Sequence, residues 1–197
     1  MMDNTVLNSL FEKSGGVVRT ADVISAGVTK DEFYRYVKKE GLEKVAHGVY
    51  AYPDSWIDEM ATLQAQYPKV IFSHETALYL HDLAEKEPVP ISVTVPAKYN
   101  VRSLSEKGVR LYYVKQDWYL LGVCDVTTSS GQRVTSYDME RTILDIIRKR
   151  KEMDIAVFNY ALRTYVNLKK KDYNKLMGYA KELHMENRLR AVMGVLL

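Results

Sequence analysis

The chain has 197 residues, is 47% hydrophobic and 27% charged, and carries a formal net charge of +3 with a single cysteine. That length buries one large or two modest cores, and the composition is that of an ordinary soluble globular protein, not a disordered or fibrous one. Cys124, having no partner, excludes an internal disulfide. No apolar run approaches the roughly 20 residues that span a bilayer, and MMDNTVLNSLFEK lacks the features of a signal peptide.

In chain order, Val6, Leu7, Leu10 and Phe11 recur at helical spacing and predict a packing helix. Thr20 is placed to cap a short helix through Ala26, with Gly27 as the left-handed residue that ends it. Thr29 caps a second helix, and Glu32 stands three residues on to complete a capping box. Val45, Val49 and Tyr50 then flank a turn at His47-Gly48, which reads as a small hairpin. Two short helices joined by a tight Gly-containing turn are a helix-turn-helix, and the hairpin is its wing. Residues 1–53 are expected to form this domain.

Projected at the helical period, the second helix turns Phe33 and Val37 inward, with Tyr36 and Glu40 at the flanks. Asp31, Tyr34, Arg35, Lys38 and Lys39 fall on the opposite face. A helix that reads DNA needs this division, an apolar anchor behind and long donors in front. Arg35 is the candidate for a bidentate contact to guanine, and Lys38 and Lys39 for phosphate contacts. Asp31 either accepts from cytosine or repels the backbone. Arg19, Thr29, Lys30, Lys44 and His47 complete the candidate DNA-binding set. Residues 1–53 hold seven basic and seven acidic side chains, so one copy should bind weakly and lose affinity with salt. A pair of copies on DNA would supply the missing affinity. The alternative is a solvated charged face, or a docking module for protein.

Residues 54–197 read as an α+β domain. Ser55 is placed to cap a helix carrying Trp56, Met60, Leu63 and Tyr67, which Pro68 ends. Val70-Ile71-Phe72 is a short buried strand, and Ser73 caps the helix SHETALYLHDL. The strands ISVTVP, VRLYYVK, YLLGVCDVTT and QRVTSY follow, with a polar stretch at 97–108 and a turn at Ser129-Ser130-Gly131. Asp138 caps a long helix with Met139, Ile143, Ile146 and Ile147 inward, and Glu140 and Arg141 at exposed or boundary positions. Ile155, Phe158, Leu162 and Val166 share a helical face. Leu176, Tyr179, Ala180 and Leu183 share another, and Leu189, Val192, Met193 and Leu196 a third. The expected fold is α+β: a winged helix-turn-helix, then a small, mostly antiparallel sheet with packed helices and a helical C-terminal region.

Residues 148–197 hold twelve basic and five acidic side chains. Arg148, Lys149, Arg150 and Lys151 form one basic run and Lys169, Lys170 and Lys171 another. With Arg163, Arg188 and Arg190 they make a candidate accessory surface for nucleic acid or a partner, unless they only serve helix termini. Chemistry is sparse. His47, His74, His81 and His184 form no metal-binding spacing, and no nucleophile elbow or phosphate loop occurs. Glu75, Asp125, Asp138, Glu140 and Asp145 are the carboxylates that a magnesium-dependent nuclease or phosphoryl-transfer enzyme would use, but they make no paired-acid motif. Ser73 before His74 reads as a helix cap, and Cys124 as a buried small hydrophobe in a reducing compartment. No cofactor and no metal are expected.

The segment TADVISAGVTKDEFYRYVKKEGLEKVAHGVYAYP, the strings SHETALYLHDL and ISVTVP, and the later YDMERTILDII and NRLRAVMGVLL together resemble the AbiEi antitoxins of bacterial abortive-infection toxin–antitoxin systems. The likeness runs over nearly the whole chain. It departs where family members often read His-Gly-Leu and this chain has His81-Asp82-Leu83. The resemblance implies a cytoplasmic, non-enzymatic protein with two jobs. Its winged helix would bind inverted repeats in operator DNA and repress its own operon, as a monomer in solution that pairs on DNA. Its C-terminal domain would counter a nucleotidyltransferase-like toxin without a stable complex, the type IV arrangement.

Overall fold

The structure, a computed structural model, describes residues 4–53, 55, 57–99 and 101–194. It divides into two compact units, Met1–Pro68 with Thr127–Val134, and Lys69–Val126 with Thr135–Leu197.

The first unit runs α1 (Asn4–Lys13), β1 (Val17–Arg19), α2 (Thr20–Ser25), α3 (Lys30–Glu40), β2 (Glu43–Ala46), β3 (Val49–Ala51) and α4 (Glu59–Gln66). Leu7, Phe11, Val23, Phe33, Tyr36 and Tyr50 meet in its core. Burial of a side chain such as Phe33 contributes about 1.5–3 kcal/mol. The Tyr36 hydroxyl is kept satisfied at the core's edge, donating to Asn8 Oδ1 at 2.8 Å and lying 2.8 Å from the Tyr52 hydroxyl. β3 is the central strand of three, in the order β1-β3-β2, all antiparallel. The pairing shifts between Lys44 and Ala46, so Val45 is a bulge in the wing.

Three local expectations are revised in this unit. Thr20 is the first residue of α2 rather than its cap, because its hydroxyl donates to the Gly48 carbonyl of the wing turn at 3.2 Å. Arg19 takes the cap position without a side-chain cap and reaches forward to Asp22 instead. The helix expected after Ser55 begins at Glu59, where Asp58 Oδ1 accepts from the Ala61 amide at 2.9 Å. Trp56 lies outside the described residues. Asp58 also accepts from the hydroxyls of Thr128 and Ser130. That anchor, and the packing of α4 on the three-stranded sheet, carry the unit past residue 53 to Pro68 and add residues 127–134.

The second unit holds β4 (Ile71–Phe72), α5 (His74–Leu80), β5 (Ser92–Pro96), α6 (Arg102–Glu106), β6 (Arg110–Val114), α7 (Gln116–Tyr119), β7 (Val123–Thr127), β8 (Arg133–Tyr137), α8 (Met139–Arg148), α9 (Ile155–Asn167), α10 (Tyr173–Glu182) and α11 (Glu186–Met193). The strand order is β6-β5-β4-β8-β7. β4 and β5 are antiparallel, as in the first sheet, while β5–β6 and β4–β8 add parallel pairings. The parallel step from β5 to β6 needs a crossover, and α6 lies in that connection. The α+β class holds in both units.

α8 is the axis of the second unit, contacted by α5, α9, α10 and α11. Ile143, Leu144 and Ile146 are fully buried there with Leu78, Phe158, Leu162 and Leu176. Enclosure on so many sides also overturns the boundary placement of two charged residues, since Glu140 is 3% and Arg141 1% exposed. Ile155 departs in the other direction at 55% exposed, and Tyr165 takes the inward place on α9.

Candidate nucleic-acid interface

α3 is shaped by its own ends. Thr29 Oγ1 accepts from the Glu32 amide at 3.3 Å, while Glu32 Oε2 accepts from the Thr29 amide at 3.0 Å, so the expected capping box is formed in full. The Thr29 hydroxyl, donating to Glu32 Oε2 at 2.6 Å, and the Thr29 amide together hold the Glu32 carboxyl below the usual carboxylate range. At the far end Gly41 adopts φ 68°, the left-handed C-cap, and Lys38 and Lys39 sit where the helix dipole favours cations. Gly27, at φ 90°, makes the turn from α2 into α3.

The outer face of the helix is as its sequence predicts, while on the inner face Tyr36 takes the buried place expected for Val37, which is half-buried. Phe33 and Tyr36 are buried, and Asp31, Tyr34, Arg35, Lys38 and Lys39 are exposed, with Thr29 and Lys30 at the leading edge. Arg35 Nε makes a long contact of 3.4 Å to the Asp31 carbonyl. Among the described residues neither Arg35, Lys38 nor Lys44 forms an ion pair. One helical turn separates Arg35 from Lys38, about 5 Å along the axis, which suits one base edge and an adjoining phosphate. Lys44 and His47 are exposed on the wing.

Three members of the candidate set are less free than expected. Tyr34, 41% exposed, stands edge-on to Tyr50 with ring centroids 6.2 Å apart, and Lys30 Nζ lies 5.8 Å over its ring. Aromatic packing therefore turns Tyr34 toward the wing strand. Arg19 is paired with Asp22, and Lys39 with Glu40 at 3.2 Å. A surface pair of this kind is worth about 1 kcal/mol or less, so a phosphate can compete for either cation.

The candidate accessory surface does not behave as one set. Arg163, Lys169, Lys170, Arg188, Arg190 and Lys151 are exposed. Arg148 instead turns into its own unit, where Nη2 donates to the Leu183 carbonyl at 3.0 Å and the guanidinium stacks 4.7 Å from the Trp118 ring. Lys149 pairs with Glu152 at 2.8 Å, Arg150 lies over Phe158, and Lys171 donates to the Leu168 carbonyl at 2.8 Å. Helix-end carbonyls and aromatic faces thus occupy part of each basic run.

The carboxylates are engaged one by one. Glu75 meets Arg110 at 2.7 Å, and Asp138 caps α8 and meets Lys175 at 2.8 Å. Glu140 accepts from the Asp172 amide at 3.1 Å and the Tyr165 hydroxyl at 3.3 Å. Asp145 takes both oxygens to Arg141 Nε at 3.1 Å. Among the described residues no group of three or more His, Cys, Asp or Glu could hold a metal ion. Cys124 is half-buried, and burial pushes its thiol up to about 11. His81 Nε2 binds the Tyr137 carbonyl at 2.7 Å, and burial lowers its pKa. Asp82 beside it sits at φ 59°. That conformation is left-handed, and aspartate is one of the few non-glycine residues that tolerate it. Ser73 occupies the cap position of α5, but its hydroxyl is turned to His74 and Thr94 and does not cap.

The first unit therefore has the winged helix-turn-helix architecture: a capped, amphipathic second helix with a cationic outer face, and a wing beside it. Residues 6–53 match the family described as transcriptional regulator, AbiEi antitoxin. Over that segment, about a quarter of the chain, the protein is similar to the family's transcriptional-regulator domain. No curated protein matches the chain. Among solved structures the chain is similar to the RV2827C protein from Mycobacterium tuberculosis, with a TM-score of 0.55 and 14% identity over 89% of this chain and 70% of that one. That likeness extends the fold assignment over both units. Among the described residues no helix is long and apolar enough to cross a membrane.

Proposed function

We propose that the protein is a cytoplasmic DNA-binding autorepressor and antitoxin, without enzymatic activity or cofactor, that binds inverted repeats at its own promoter. The observation that carries this reading is the exposed face of α3, where among the described residues Arg35 and Lys38 form no ion pair, on a helix held by Phe33 and the Thr29–Glu32 box. A monomeric module of no net charge makes few phosphate contacts. Two copies side by side on a repeat would double those contacts and match half-sites one helical turn apart. The second unit is assigned the counteraction of a nucleotidyltransferase-like toxin, in keeping with an AbiEi regulator domain at the N-terminus.

The test separates the two jobs in the cell. Arg35→Ala with Lys38→Ala should release a reporter placed behind the protein's own promoter, while cells expressing the toxin remain protected. A reporter that stays repressed refutes the assignment of α3. Loss of protection in the same variant, with its level unchanged, refutes the division of labour.

A further inference from the structure

A cavity of about 450 Å³ opens in the second unit between β6, α5, α7 and α8. Its lining is unusual in charge. Lys115, Arg141, Arg148 and Lys149 face it against one carboxylate, Asp145, and Arg141 already holds both oxygens of that carboxylate. Three cations are left without a carboxylate inside the cavity. Two flank one aromatic ring, with Arg148 4.7 Å and Lys115 Nζ 5.5 Å from the Trp118 ring, and Lys149 Nζ lies 5.6 Å over Tyr112. Lys149 also meets Glu152 outside the cavity, an exposed pair that a stronger anion can displace.

The floor carries the second observation. His74 is 4% exposed and sits at φ 51°, a conformation that non-glycine residues seldom hold without a reason. Its ring lies flat on Tyr112, centroids 3.5 Å apart and planes 14° from parallel. Thr94 Oγ1 donates to Ser73 Oγ at 2.8 Å, and Ser73 Oγ lies 3.0 Å from His74 Nδ1. With its oxygen accepting from Thr94, Ser73 has its own hydrogen to give to Nδ1. We assign the tautomer in which Nδ1 accepts that hydrogen and the ring's proton sits on Nε2. Burial and the surrounding Arg141, Lys149, Arg110 and Arg148 keep the imidazole neutral, with its pKa well below the usual value. Nε2–H is therefore a fixed donor on the cavity wall with no protein acceptor among the described residues.

We propose that this cavity binds a small phosphate-bearing anion, whose phosphoryl oxygens meet Lys115, Arg148 and Lys149 at the rim and His74 Nε2–H at the floor. Three cations and a preset donor suit a multiply charged oxyanion, whereas a carboxylate carries one charge. The volume exceeds that of a single phosphate and leaves room for a phosphate chain or a nucleoside attached to it. The site lies wholly in the second unit and does not depend on DNA binding by α3.

The test is isothermal titration of the full chain with inorganic pyrophosphate, ATP and sulfate at matched ionic strength. Saturable one-to-one binding of pyrophosphate or ATP, at least tenfold tighter than sulfate, is expected. Equal affinity for pyrophosphate and ATP identifies the phosphate chain as the ligand, and tighter binding of ATP adds the nucleoside to it. Lys115→Glu with Lys149→Glu, both on the rim, should weaken binding at least tenfold with an unchanged melting temperature. His74→Asn keeps a residue that tolerates positive φ and should weaken it as well. No saturable binding at millimolar ligand, no preference over sulfate, or full affinity in the charge-reversed variant overturns the proposal.

Discussion

Replacing Arg141 tests how the second unit is held together. Arg141 is 1% exposed on α8, and its Nε faces both oxygens of Asp145 at 3.1 Å. Its Nη1 donates to the Trp118 carbonyl at 2.6 Å and the Leu121 carbonyl at 2.9 Å, tying α7 and the following turn to α8. Arg141→Met keeps the bulk and removes every donor. Leaving a buried charge without its partner costs about 3–5 kcal/mol, and each stranded carbonyl adds about 1 kcal/mol or more. The total of about 5 kcal/mol or more is comparable with the whole stability of a small domain, about 5–15 kcal/mol. Urea unfolding followed by circular dichroism should therefore show the variant's second unit largely unfolded before the first. Adding Asp145→Leu removes the orphaned carboxylate and should recover part of the loss. If Arg141→Met stays within about 1 kcal/mol of the parent protein, the pair is not the anchor described here.

Two more outcomes are expected. The folded pKa of His74 is depressed by burial, so below about pH 6.5 the unfolded chain takes up a proton that the folded chain refuses. Stability should accordingly fall on acidification from pH 6.5 toward 5, by up to about 1.4 kcal/mol per pH unit for this one proton. His81 adds in the same direction. A His74→Asn variant with an unchanged slope would contradict this. Asp82 holds φ 59° at the end of α5, so Asp82→Gly should be tolerated, whereas Asp82→Val should cost about 1–2 kcal/mol. Equal melting temperatures for the two variants would show that backbone conformation does not govern that site.

What could be read from the sequence was what is decided locally. The Thr29–Glu32 box, the Gly27 turn and the inward Phe33 each depend on residues within one or two turns, and each is found in place, whereas Tyr36, expected at the flank, is buried and Val37 is only half-buried. Asp138 caps α8 for the same reason. β1 escaped because its three residues gain meaning only by pairing with β3, about thirty positions on. α6 and α7 are too short to show a period, and α7 fills the gap between two runs that read as strands. Glu140 and Arg141 misled because helical periodicity assumes one wet face, and α8 is packed against four helices. The cavity at His74 was invisible for a similar reason. Tyr112, Lys115 and Trp118 meet Arg148 and Lys149 only once β6 and α8 are brought together.

The central claim is that the outer face of α3 enters DNA, and fluorescence anisotropy on a labelled duplex from upstream of the protein's own gene tests it most directly. A bidentate arginine–guanine contact is worth about 1–3 kcal/mol, and loss of one phosphate contact per copy should reduce the salt slope by about one. Arg35→Ala with Lys38→Ala should therefore weaken binding at least tenfold and flatten the dependence on salt. Unchanged affinity and slope in the double variant would mean that the duplex, if bound at all, is held by some other part of the molecule.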